Sequence, residues 1–150
     1  MTTRHFILLL AMIAAACGPA ENPDSVILPP SMATELLAQC SREAPSASEG
    51  TWLPSRADIE ALEAALSVTL TSIQYEDSSR FPTGWRRQYV GILEDGERVI
   101  YGNFFPISTP VPSQDLSKPV VVCDGGTKYF GVEYDVKARH IMHIAFNGSA

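Results

Sequence analysis

WRRQYVGILEDGERVIYGNFF, residues 85–105, decides the fold. Two apolar runs flank Asp95-Gly96, a pair favoured in two-residue type I′ hairpin turns because both central positions need positive φ. With Asp95 and Gly96 as the loop, Ile92 faces Val99 and Val90 faces Tyr101 on one side of the ribbon. Tyr89 then faces Gly102, and Gly91 faces Ile100, on the other. Each glycine lies under a large cross-strand neighbour. That favours this register over a one-residue slip, which would turn every side chain to the opposite face.

Downstream, PISTPVPSQDLSKP (106–119) holds four prolines and cannot be a central strand. It reads as a long connector, a kind of segment that is often functional in compact domains. Val120–Cys123 reads as a short buried strand and Asp124-Gly125-Gly126 as a turn. Phe130–Tyr134 and Ile141–Phe146 read as the last two strands, joined through Asp135–Arg139. Val132 and Tyr134 share one face, and Met142, Ile144 and Phe146 share one face of the final strand, directed at the same core.

Upstream, Ser31 follows two prolines and is placed to cap a helix with an apolar face of Met32, Ala33, Leu36, Leu37 and Cys40. Ser55-x-x-Asp58 resembles a capping box with a shorter acid than usual. Ile59, Leu62, Ala65 and Leu66 follow as one stripe, with Glu60 and Glu63 off it, predicting a helix over 56–68 that lies across a sheet. Val68–Ile73 fits either a strand or an extension of that helix. The expected architecture is a single α+β domain over 31–150. Two helices pack on one face of a four- to five-stranded antiparallel sheet.

The composition supports one globular core: 45% hydrophobic and 19% charged over 150 residues. The net charge of −6 is unevenly placed. Glu21–Asp77 carries ten acids against Arg42 and Arg56, whereas Ser78–Ala150 carries seven acids and eight bases. Such a balance gives no electrostatic case for nucleic acid.

Residues 1–16 have the parts of a signal peptide: Arg4, an apolar run from Phe6 to Ala16 too short to span a bilayer, and small residues before Cys17. This leader resembles a bacterial lipoprotein precursor, departing from that pattern at Ala14, where leucine is usual. The resemblance implies lipidation of Cys17, hence a stable membrane attachment. Gly18 at the next position is compatible with the outer membrane, with the domain on its periplasmic face. Plain secretion by cleavage after Ala16 fits the same residues and would leave a soluble periplasmic or secreted protein. Residues 17–30 then form an extended tether, within which Val26-Ile27-Leu28 could pack as an edge segment.

Lipidating Cys17 leaves Cys40 and Cys123, an even number in an oxidising compartment. A disulfide between them is expected, stabilising by about 4.5 kcal/mol through loop closure. Two buried free thiols are the alternative.

Chemistry is sparse. His140 and His143, three apart on a strand, point to opposite faces, a poor geometry for one metal. No serine sits in a nucleophile elbow, and Gly125-Gly126 is too short to cradle phosphate. No catalytic residue, cofactor or metal is implied. Two constellations remain as candidates for binding. Arg86 and Arg87 beside Tyr89 could grip an anionic ligand or a partner's carboxylates, or form a charged edge strand. Asp124, Glu133 and Asp135, expected near one end of the sheet, could do acid/base work, or the aspartates could cap turns.

W-x-P at Trp52, RQYVGI, IYGNFF, VVVCDGG, FGVEYD and the final FNG are similar to a set of small, uncharacterised proteobacterial outer-membrane lipoprotein-type proteins. That resemblance spans Thr51–Ala150 and implies no activity. The function expected is therefore a non-enzymatic envelope lipoprotein that binds another macromolecule or ligand. The alternatives are an inhibitor or immunity protein that pushes 106–119 into a periplasmic enzyme, and a small hydrolase using the three carboxylates.

Overall fold

The computed structural model describes residues 22–110 and 115–149. The elements in chain order are β1 (Ser25–Ile27), α1 (Ala33–Leu37), β2 (Thr51–Trp52), α2 (Arg56–Ser72), β3 (Trp85–Glu94), β4 (Glu97–Pro106), β5 (Phe130–Asp135) and β6 (His140–Phe146). The fold is α+β with a mostly antiparallel sheet. Strands β3, β4, β5 and β6 pair in sequence order, and β1 (parallel) and β2 (antiparallel) share the remaining edge of β3.

The hairpin register is the one that the sequence predicts: Ile92 opposes Val99, Val90 opposes Tyr101, Tyr89 opposes Gly102 and Gly91 opposes Ile100. Asp95 and Gly96 have φ of 50° and 76°, the two positive values a type I′ turn requires. The space above Gly91 is filled by Trp52: a Cβ there would stand 2.6 Å from the Trp52 carbonyl oxygen.

Helix α2 starts on the expected capping box. The Ser55 hydroxyl accepts from the Asp58 amide, and the Asp58 carboxylate accepts from the Ser55 amide. The helix continues to Ser72, so Val68–Ile73 extends it. Its buried residues Ile59, Leu62, Leu66 and Leu70 cover one sheet face, against Tyr89, Ile100, Phe104, Phe130, Val132 and Tyr134. Stacked Phe104 and Phe130 rings, 4.8 Å apart, centre an aromatic cluster on this face.

The two helices do not share a face. Leu28, Ala33 and Leu36 pack on Val90, Ile92, Val99 and Tyr101, which alternate with the residues under α2 and so point the other way. The physical reason is that Val90, Ile92, Val99 and Tyr101 leave an apolar patch on that side, which Leu28, Ala33 and Leu36 cover. The Cys40–Cys123 disulfide forms on the same side, with Cα atoms 5.3 Å apart. Cys40 lies past the end of α1, and both cysteines are exposed, not buried. Ser31 sits inside a 3-10 turn at Pro30–Met32 that has no side-chain cap. Val120–Cys123 is not a strand. Within the expected tether, Ser25–Leu28 belongs to the fold in the way foreseen for Val26-Ile27-Leu28: β1 pairs with β3 and Leu28 is buried.

A bulge between Glu133 and Tyr134 alters β6. Glu133 opposes His143, Tyr134 opposes Ile141, and Asp135 opposes His140. Met142 is left out of the pairing and is 45% exposed, while Ile141, Ile144 and Phe146 pack on the core. His140 and His143 consequently share a face, because Glu133 and Asp135 do.

Candidate functional site

Strand β3 is interior to the sheet because β1 and β2 cover its edge, so alternate residues of its basic start are buried. Arg87 is 2% exposed and lies under α2. Its guanidinium meets the Glu63 carboxylate at 3.2 Å, and the Tyr89 hydroxyl donates to the same oxygen at 2.6 Å. Burial, with the Glu63 carboxylate beside it, pushes the Tyr89 hydroxyl well above its ordinary pKa. The three groups satisfy one another and present nothing to a ligand. Arg86 points to the other face and approaches Asp24 at 3.8 Å.

The three carboxylates are not brought together. Asp124 has φ of 67° in a turn beside Asn147, at the Phe130 end of β5. Asp135 ends β5 at the opposite extremity and accepts from the Ala138 amide, a turn role. Glu133 lies between them, 3.3 Å from His143 Nδ1. Among the described residues, no three His, Cys, Asp or Glu side chains converge as a metal site.

The face opposite α2 carries a polar row that sequence reasoning missed. Gln88, Asn103, Gly131 and Ala145 are successive cross-strand partners across β3, β4, β5 and β6. Residues 115–124 cross the sheet over this row. Gln88 Nε2 donates to the carbonyls of Leu116 and Lys118, Asn103 Nδ2 to that of Val120, and Asn147 Nδ2 to those of Val122 and Asp124. Gln88 Oε1 accepts in return from the Val120 amide at 2.9 Å. Every second carbonyl of the segment is thus read by a side-chain amide. Arg42 fixes the row from the same face, donating to Asn103, Asn147 and the Tyr101 hydroxyl. A Cβ on Gly131 would stand 2.9 Å from Arg42 Nε, so only glycine leaves room for the guanidinium. Gln88, Asn103 and Asn147 are all buried.

One open groove, of about 440 Å³, lies at the Trp85 end of the sheet. Asp77, Arg80, Trp85, Ile107, Lys128 and Tyr129 line it. Asp77 lies between Arg80 (3.6 Å) and Lys128 (3.9 Å), and Ile107 is 45% exposed at the rim. The floor is rigid: Trp85 Nε1 donates to the Lys128 carbonyl, and the Tyr75 hydroxyl to that of Thr127. Burial, then the Asp77 and Glu76 carboxylates, push that hydroxyl up to about 12, so it remains a donor. The connector starts at this rim and is pinned on both sides. Thr109 donates to the Tyr129 hydroxyl, and Leu116 is buried over Gln88. Residues 111–114 lie outside the described residues, as do the leader, Cys17 and Gly18.

Compared with protein-family models, curated proteins and solved structures, the chain matches none. Among the described residues no helix is long and apolar enough to cross a membrane.

Proposed function

We propose that this chain is a non-enzymatic, periplasm-facing lipoprotein of the outer membrane, anchored through Cys17, that acts as a binding module in the cell envelope. The carrying observation is the groove at the Trp85 end. Both sheet faces are covered, by α2 on one side and by α1 with residues 115–124 on the other. The groove offers apolar Ile107 and Tyr129 beside Arg80 and Lys128, which outnumber the Asp77 carboxylate between them. Such a lining suits a partner that presents an apolar side chain next to a carboxylate or phosphate. Strand β1 runs parallel to β3 with Ser25 opposite Arg87, so the chain enters the domain at this same end. Five residue steps from Cys17 to Asn22 reach at most about 18 Å. A lipid-anchored chain therefore holds the groove near the bilayer.

The pinned ends of 106–119 favour a second reading, an inhibitor or immunity protein, because a connector anchored on both sides loses little entropy when it enters an enzyme cleft. The spread of Asp124, Glu133 and Asp135 along the sheet speaks against the hydrolase reading.

The test is cross-linking of the full chain in its own envelope. Cys17→Ser is expected to shift the protein from the membrane to the soluble fraction. Ile107→Asp combined with Lys128→Glu is expected to abolish the cross-linked species, while Leu53→Asp, exposed outside the groove, leaves it in place. A mature Cys17 without lipid would overturn the anchor, and a cross-link indifferent to the groove variant would overturn the site. An enzyme captured in that species and inhibited by the purified domain would select the second reading.

A further inference from the structure

Residues 115–124 are held in an unusual way. Among the described residues, no backbone–backbone hydrogen bond joins them to the sheet. Five carbonyls, at 116, 118, 120, 122 and 124, are instead taken by Gln88, Asn103 and Asn147. These three side chains read an extended main chain at its two-residue repeat and ignore its side chains, apart from the buried Leu116. Val121 and Lys118 point outward. The covalent lock is Cys123, bonded to Cys40 across 83 residues, and both cysteines are exposed. An exposed disulfide is open to thiolate attack.

We propose that the Gln88–Asn103–Asn147 row is a binding site for an extended peptide, occupied in the oxidised protein by residues 115–124 and opened by reduction of Cys40–Cys123. The reductant is a protein dithiol. One of its thiolates attacks an exposed sulfur of the pair, and the mixed disulfide is resolved by its second thiol. Two electrons and two protons pass to Cys40 and Cys123, and the donor leaves as its own disulfide. Once the lock is gone, the segment keeps only side-chain bonds and the burial of Leu116. The row itself stays assembled, because Arg42, whose neighbour Ser41 accepts from the Gly148 amide independently of the disulfide, still orients Asn103 and Asn147. Uncovered, the row's donors are hydrated, and a second extended chain with carbonyls at the same spacing can replace that water bond for bond. The preferred ligand carries an apolar residue at the position of Leu116 and tolerates proline at that of Pro119, whose nitrogen is not used.

The full chain from Cys17 onward, reduced with a dithiol and alkylated, is compared with the oxidised protein by residue-resolved amide exchange. The expected result is faster exchange at Val120, by tenfold or more, with β3 and β4 amides unchanged. A synthetic peptide of residues 115–124 carrying Cys123→Ser is then titrated. It is expected to bind the reduced protein at least tenfold more tightly than the oxidised one, and Asn147→Ala is expected to remove that binding. Cys40→Ser/Cys123→Ser is expected to reproduce the reduced state without alkylation. Unchanged Val120 exchange on reduction would overturn the gate. Loss of β3–β4 protection together with Val120 would overturn it too, showing that the disulfide holds the whole domain. A released segment with no peptide binding would overturn the site.

Discussion

The two faces of the sheet are covered by different physics. Under α2, aliphatic and aromatic side chains interlock, and burial of their area supplies the attraction. The opposite face splits in two. Toward the hairpin it is apolar, where Val90, Ile92, Val99 and Tyr101 lie under Leu28, Ala33 and Leu36. Its other half is polar, with an irregular segment held by side-chain amides and a disulfide. Apolar packing is graded and tolerant, whereas a buried hydrogen-bonded row fails when one member is lost. The α2 face therefore carries the stability of the domain, and the polar half of the other face is the part that can be switched.

The sharpest way to break this contrast is to remove the one polar group on which the α2 face depends. Glu63→Ala leaves Arg87, 2% exposed, without its carboxylate and strips Tyr89 of its acceptor. Breaking a buried pair from one side costs about 3–5 kcal/mol, which urea unfolding at neutral pH would show as a fall in midpoint. A loss under about 1 kcal/mol would mean that water reaches Arg87, and that the α2 face is less dry than its packing indicates.

On the other face the corresponding intervention is Gly131→Ala. The added Cβ would stand 2.5 Å from the Tyr101 hydroxyl and 2.9 Å from Arg42 Nε, both fixed by hydrogen bonds. Displacing them is expected to cost about 1–3 kcal/mol, the range for overpacking a filled site. The distinguishing readout is location: amide exchange should rise at Val120 and around Asn147 while the α2 amides stay protected. A uniform rise would show that the two faces unfold as one unit.

The same contrast explains what the sequence made legible. Periodicity reports burial of apolar stripes, so the Asp95-Gly96 hairpin could be placed residue for residue and α2 could be started at Ser55. Periodicity is silent where polar side chains replace the ladder. The β-branched Val120-Val121-Val122 reads as a strand, yet its carbonyls go to Asn103 and Asn147. The available signal was Gln88 opposite Asn103, two amides facing each other in the register already fixed by the turn. Arg87 was unreadable for another reason: a basic pair opens a strand at an edge or in the interior alike, and only the pairing of β1 and β2 decides which. The bulge that exposes Met142 has no glycine to announce it. Of the candidate binding residues, the structure leaves Arg86 paired to Asp24, Glu133 beside His143 and Asp124 in a turn. The groove was not legible as a site because Arg80, Ile107 and Lys128 come from three separate connections, of which only 106–119 stood out in the sequence.

The smallest expected effect tests whether the second face is electrostatically satisfied along its whole length. Toward its Trp85 end, Arg42 orients the row by hydrogen bonds to Asn103 and Asn147. At the hairpin end, Glu94 stands directly across from Glu97, and Glu97 is taken up by Lys137. Burial, followed by repulsion from Glu133, Asp95 and Glu49, raises the Glu94 carboxyl above its ordinary 4.5. A raised carboxyl means that the folded chain holds this proton more tightly than the unfolded one. The group's favourable contribution is thus present below about pH 4.5 and is lost as pH rises through the folded value. Glu94→Gln keeps the shape and removes the charge. The variant is expected to be more stable than the parent at pH 7, by about 0.5 kcal/mol on the scale of cross-strand charge pairs, and equal to it near pH 4. Thermal midpoints measured across that interval would show the two curves converging on the acid side. Parallel curves would place the Glu94 carboxylate in water, and the acidic end of this face would then be as well satisfied as the end that Arg42 organises.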